Sequence, residues 1–348
     1  MSEEMNMEDA ENWVPSKNPW LISAPLMLAM FMFVLDETIS NVALPFMAGT
    51  FSVAHNESTW VLTSYLIASG LIIPSVDFLC KKFGRINYYM FSLALFTLSS
   101  VLCGLSQSLP QIILARFLQG IGGGALLPLS QSIMLESFPK EERGRAMALF
   151  GFGIVMGPIL GPVVGGWITD NWSWPFIYFI NLPFGLFALF ISKMLLEESP
   201  FGRKVEGIKL DSLGFTFLVF WIVTLQVVLD KGNDADWFGS TWICWMTAVS
   251  VLSCLAFFIS QIKNKENPLI DLSIMKDQNF FFGTVIQIVL MAVLLASAAI
   301  LPSMLQRLMG YTSYLSGLSL GTRGLGNIIA LVTYFIISKK CFDSSSDI

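Results

Sequence analysis

Charge is what this chain has least of. Asp, Glu, Lys and Arg make up 13% of its 348 residues, against about 25% in a soluble domain. Hydrophobic residues reach 54%, and the mean hydropathy is +0.67. So few charges cannot cover so much apolar surface with a hydrated shell, which excludes a water-soluble fold and predicts an all-α integral membrane protein. Histidine is nearly absent: His55 stands alone, and histidine-based metal or triad chemistry is excluded with it. The five cysteines (Cys80, Cys103, Cys244, Cys254 and Cys341) show no metal-ligand spacing. No nucleophile–base pair or phosphate loop is present, so neither an enzyme nor a cofactor is expected. A short apolar run with a small-residue cleavage site is also missing, so no signal peptide is expected. Much of the net charge of −5 comes from Glu3, Glu4, Glu8, Asp9 and Glu11 in an acidic tail, and no nucleic-acid partner is expected.

Long hydrophobic runs are what is there. A spanning helix needs about 20 apolar residues, and ten candidates fit: 20–46, 59–80, 87–107, 111–136, 145–169, 174–194, 211–230, 240–262, 279–305 and 313–338. Turn-forming residues such as Ser106 to Pro110 separate them. With a cytoplasmic amino terminus, 16 of the 20 Lys and Arg fall in inner loops or tails. Only Lys231 and Arg307 fall outside, and Arg116 and Arg323 lie within spans. The positive-inside rule asks for this asymmetry, and one missed helix would invert every later loop.

Residues 151–167 read GFGIVMGPILGPVVGGW. Gly153, Gly157, Gly161 and Gly165 stack on one helical face, with Pro158 and Pro162 between them and Gly166 beside the last. In a soluble helix each interior Gly costs about 1 kcal/mol and each interior Pro about 3 kcal/mol. A membrane helix tolerates both, because neighbouring helices re-satisfy the freed backbone groups. The run reads either as a tight helix–helix contact or as a transporter signature.

Charges at membrane depth are costly and mark functional sites. Asp36 and Glu37 lie in the first span and Arg116 in the fourth. At 1.5 Å per residue, Asp36 is roughly 24 Å from the inner end, and Arg116 is roughly 8 Å below the outer surface on a helix running the other way. The opposite charges therefore arrive at similar depth. They read as a proton-loading pair or as a structural ion pair, and one of the two adjacent acids must face elsewhere. Gln119 shares the face of Arg116. Asn41, Thr63, Ser64, Gln119, Ser130, Gln131 and Arg323 are cavity candidates, with helix–helix hydrogen bonding as the alternative for Ser and Thr. Asp77, Glu136 and Asp230 read as anchors or caps at helix ends.

Several motifs now align. LDETISNVALP (35–45), RFLQGIGGGALLP (116–128), GIVMGPILGPVVGG (153–166) and DWFGS after LDKG (229–240) resemble, in order, those of the major facilitator superfamily, and specifically its 14-helix drug:proton antiporters of the EmrB type. The resemblance implies a proton-coupled multidrug efflux transporter of the inner or plasma membrane. It would be driven by the proton motive force and would export amphipathic toxic compounds. A periplasmic adaptor and an outer-membrane channel are the implied partners where the cell has two membranes. It also implies proton-linked roles for Asp36 and Arg116, a conformational role for the helix 5 glycines, whose face would seal the interface with the other half-bundle, and a salt-bridge latch in the loop after the second span.

That loop reads VDFLCKKFGRINYY (76–89): Asp77 stands where the family pattern has Gly and Lys81 where it has Asp, with Lys82 following, while Gly84 and Arg85 match. The implied organisation is an acidic tail (1–19), a six-helix bundle (20–194), a cytoplasmic linker (195–210), a two-helix insertion (211–262) and the first two helices of a second bundle with its tail (263–348). The family has four further helices. The expectation is therefore a truncated chain of such an exporter, with a non-transporting truncated product or a partner subunit, or a facilitator without proton coupling, as alternatives.

Overall fold

The computed structural model describes residue 13 and residues 15–205, 207–208, 210–264 and 268–319. Among these the chain is helical throughout, without strands. α1 runs over Pro19–Phe51, α2 over His55–Phe83, α3 over Arg85–Gly104, α4 over Leu109–Ser137 and α5 over Arg143–Asn171. α6 covers Phe176–Leu195, α7 Ser212–Lys231, α8 Thr241–Lys263 and α9 Gln278–Arg307. The first eight are long and apolar enough to cross a membrane. α9 has 30 residues. Residues 313–319 are helical, and the rest of the tenth expected span, with Arg323, lies outside the described residues. So do residues 1–12 of the acidic tail and all of 320–348.

Local chemistry sets the ends. Asn18 accepts a hydrogen bond from Trp20 N at 2.9 Å and Pro19 opens α1, a pairing of cap and pre-set φ that suits a helix start. Two expected spans are less regular than a single helix. α2 is interrupted at Thr59 and again by a 3₁₀ turn at Ile73–Ser75, where Pro74 cannot donate to the ladder. α6 steps at Ile180. Gly84, at φ +85°, closes α2 and opens α3, a backbone region that side chains with a Cβ avoid.

Small residues decide how closely the helices meet. In α4, a Cβ on Gly120 would lie 2.5 Å from Tyr65 O, and one on Gly122 2.6 Å from Phe96 N. Backbone-to-backbone approach at this range lets α4 wedge between α2 and α3. Two apolar clusters fill the bundle, one around Leu26, Met30, Tyr89 and Phe96, the other around Ile39, Met47, Ile112 and Ile177. Leu98, Phe190, Trp245 and Leu252 point outward, as lipid-facing residues do.

The glycine face of α5 corrects an expectation. It was expected to seal against the second half-bundle. Instead it packs on α1: a Cβ on Gly153 would meet Met30, one on Gly157 Val34, one on Gly161 Thr38, and one on Gly165 Ile39, all within 2.7 Å. Thr38 Oγ1 donates to Gly157 O at 3.2 Å across the seam. Gly166 and Pro162, not the four-spaced face, meet residues 313–317. The reason is periodicity: positions 153, 157, 161 and 165 share one stripe, and 166 lies about 100° round the helix. Overpacking typically costs about 1–3 kcal/mol. Gly157→Leu should therefore lower the thermal midpoint of the purified chain in detergent. Gly151→Leu, where a Cβ meets nothing within 4 Å, should leave it in place. Equal midpoints for both variants would refute the α1–α5 seam.

A buried charge hub beside an apolar cavity

α1, α2, α3, α4 and α6 deliver a polar hub into the middle of the bundle. Arg116 Nη1 donates to Asp36 Oδ2 at 2.5 Å, and both side chains have 0% exposure. Arg116 Nη1 also donates to Gln119 Oε1 at 2.9 Å, and Arg116 Nε to Val61 O at 3.3 Å. Asp36 Oδ1 accepts from Gln119 Nε2 at 2.9 Å and from Asn181 Nδ2 at 2.8 Å. Asn181 Nδ2 further donates to Ser100 Oγ at 2.9 Å, which donates to Tyr178 O at 2.9 Å. The guanidinium lies 4.1 Å from the Tyr65 ring centroid and 5.6 Å from that of Tyr178, within cation–π range. A buried ion pair offsets its desolvation only with such extra hydrogen bonds, and each carboxylate oxygen here has at least one.

The expected pairing of Asp36 with Arg116 is therefore present. Gln119 is not a cavity residue: it is fully buried, with its amide spent on the two charges. Ser64 Oγ bonds its own helix at Val61 O, 3.4 Å away, and Ser130 is fully buried. Asn181, Ser100, Tyr65 and Tyr178 were not anticipated. Asn181 was the most accessible signal among them, an amide inside the apolar run FINLPFG.

Glu37 faces elsewhere. It is half-buried, and no hydrogen bond or ion pair reaches its carboxylate among the described residues. One turn further along α1, Asn41 donates from Nδ2 to Glu37 O at 3.3 Å. Asn41 lines a cavity of about 650 Å³ between α1, α2, α7 and α9. Leu44, Leu62, Leu66, Ile300 and Met304 form its apolar walls, and Thr59, Thr63, Gln226 and Asp230 add polar groups. That size and mixture suit a drug-sized amphipathic ligand. Of the expected cavity residues, Asn41 and Thr63 line it. Gln131 does not, and is half-buried on α4. Asp230, expected as an end anchor, contributes to the wall and pairs with Lys231 at 3.2 Å.

At the basic end, Lys81 bonds Asp77 at 2.6 Å in an exposed (i, i+4) pair, and Lys82 lies over the Phe78 and Phe83 rings. Arg85 takes the larger structural part. It bonds Glu136 and donates from Nη2 to Phe201 O at 3.2 Å. Glu136 also accepts from Ser199 Oγ at 2.5 Å, so it ties three segments and is more than an end anchor. Glu198 caps α3, accepting from Arg85 N at 2.9 Å and Ile86 N at 3.1 Å. Burial pushes its carboxyl up, against the pull of those two N–H groups. No group of three or more His, Cys, Asp or Glu fit to hold a metal ion occurs among the described residues.

Eight membrane-length helices packed with a buried charge pair among them define a multi-pass membrane protein. The sequence profile of the Major Facilitator Superfamily matches residues 26–342, and the chain belongs to that superfamily. It is 40% identical over 310 residues to the probable multidrug resistance protein EmrY of Escherichia coli (strain K12), covering 88% of this chain and 59% of that protein. It is 36% identical over 311 residues to the multidrug export protein EmrB of the same strain, covering 89% and 60%. With the fatty acid resistance protein FarB of Neisseria gonorrhoeae it shares 37% over 306 residues, covering 87% and 59%. The chain thus spans about three-fifths of the length of these relatives. A crystal structure of the peptide transporter POT in complex with sulfate superposes with a TM-score of 0.68 at 13% identity, over 97% of this chain and 73% of that one. The likeness to that structure is one of fold.

Removing one partner of a buried ion pair leaves the other uncompensated, at about 3–5 kcal/mol. Arg116→Ala should accordingly lower the thermal midpoint of the purified chain by more than Lys81→Ala, which breaks only an exposed pair worth about 0–1 kcal/mol. Thermal unfolding in detergent reads both, and a milder effect at Arg116 would contradict the hub.

Proposed function

We propose that this chain forms the proton-handling part of a multidrug exporter that exchanges protons for amphipathic small molecules across the inner (plasma) membrane. One observation carries the reading. Of two adjacent acids in α1, Asp36 is saturated and fully buried, while Glu37 is half-buried, unpartnered among the described residues and one turn from the cavity residue Asn41. A carboxylate held by three donors is suited to ordering the bundle. A free one beside a cavity is suited to taking up and giving back a proton. Glu37 is thus the exchanging group, and Asp36 with Arg116 is the fixed charge pair that orients it. The names of EmrY and EmrB support a drug cargo, and the cavity's apolar walls support an amphipathic one.

In this reading the amino terminus is cytoplasmic, residues 20–194 form the first bundle, 195–210 the linker and 211–262 the insertion. Residues 263–348 begin the second bundle. Asp77, Lys81, Lys82, Gly84 and Arg85 form the inner loop, and the α5 glycines hold α1 against α5 during the rocking of one bundle on the other. A periplasmic adaptor and an outer-membrane channel would carry the cargo onward in a cell with two membranes. A second reading takes the 59–60% coverage of the relatives as its ground: the chain transports only when another polypeptide supplies further helices.

Fluorescent-dye export into inverted vesicles under an imposed pH gradient tests both. Glu37→Gln should abolish gradient-driven export while the thermal midpoint is kept. Asp36→Asn should lose export and lower the midpoint. Full export by Glu37→Gln would end the proton assignment. Export that appears only on co-expression with the last four helices of a relative would favour the second reading.

A further inference from the structure

Two polar atoms in the hub remain unused. Arg116 Nη2 and the Tyr65 hydroxyl are both buried without a hydrogen-bond partner among the described residues. Unpaired N–H groups on a buried cation are expensive, and such groups in folded proteins call for a specific partner. The two atoms belong to side chains in contact, with the guanidinium 4.1 Å from the Tyr65 ring centroid. The Tyr65 ring also meets the Phe33 ring, with centroids 6.1 Å apart. Glu37 stands four residues beyond Phe33, on the same face of α1. It lies within electrostatic reach of Tyr65 and Arg116. The other ionisable groups facing this point are Asp36 on α1, Cys103 on α3 and Tyr178 on α6. Asp36 is saturated, Cys103 Sγ donates to Gln119 Oε1 at 3.4 Å, and the Tyr178 hydroxyl sits between Ser40 and Met47. Glu37 is left as the group with free hydrogen-bonding capacity.

We propose that Tyr65 is a positioning residue for proton exchange at Glu37: its hydroxyl, together with Arg116 Nη2, holds a single water molecule that hydrogen-bonds the Glu37 carboxyl. The inference rests on the reading that Glu37 exchanges the proton. A phenol can donate and accept at once, so it can hold a water whether Glu37 is protonated or ionised, which a guanidinium, a donor only, cannot do. With Glu37, such a water would have three polar partners, within the two to four that a buried water needs.

Tyr65→Phe deletes one oxygen and keeps the ring over Arg116. Infrared difference spectroscopy of the purified full chain across a pH step reads the carboxyl directly. The Glu37 band is identified by its loss in Glu37→Gln. In Tyr65→Phe that C=O band should move to higher frequency, because a hydrogen bond to the carboxyl is lost, while the thermal midpoint holds or rises. A band unmoved by Tyr65→Phe would overturn the positioning role alone. A pH-dependent carboxyl band that survives Glu37→Gln and disappears in Asp36→Asn would instead overturn the assignment of the proton to Glu37. A lowered thermal midpoint in Tyr65→Phe would instead assign Tyr65 to packing.

Discussion

The ion pair between Asp36 and Arg116 is the constraint on which the bundle is organised. Neither charge reaches water, and in a membrane interior each would cost several kcal/mol alone. The surrounding helices are arranged to meet their remaining hydrogen-bonding capacity. α2 supplies the Val61 carbonyl and the face of Tyr65, α3 supplies Ser100 and α6 supplies Asn181. The glycines of α4 bring that helix close enough to α2 for the arginine to reach across. The α5 glycines seat α1, which carries Asp36, against its neighbour. Packing and electrostatics are thus one design, since the charges are tolerable only where helices approach nearly backbone to backbone.

This arrangement divides labour between two consecutive acids. Successive side chains on a helix point about 100° apart, so Asp36 and Glu37 meet different partners. One is held directly by the hub's hydrogen bonds. The other is half-buried and makes no direct hydrogen bond to the hub among the described residues. Two acids can then sit on neighbouring residues without competing for the same arginine nitrogen.

The basic end shows how a departure from a family pattern is absorbed. With Lys81 where the family has an acid, that position makes only an exposed local pair with Asp77. The tertiary connection falls to Arg85, Glu136 and Ser199, with Glu198 capping α3. A carboxylate some 110 residues away in sequence was invisible to any local pattern, since only the return of the chain after α6 brings it to Gly84.

Composition and periodicity alone determined that this is a helical membrane protein, where its first eight spans lie, and that Asp36 and Arg116 meet at one depth. Each follows from one-dimensional quantities: apolar length against bilayer thickness, rise per residue and the sign of loop charges. The tertiary structure decided which partner each side chain takes. It placed Gln119 in the hub instead of the cavity, turned the α5 glycine stripe onto α1, and recruited Asn181 and Tyr65. Those outcomes depend on the rotation of each helix about its axis and on which helices become neighbours. A hydrophobic pattern in lipid leaves both open, because a lipid tail and a leucine are equally good surroundings for an apolar face.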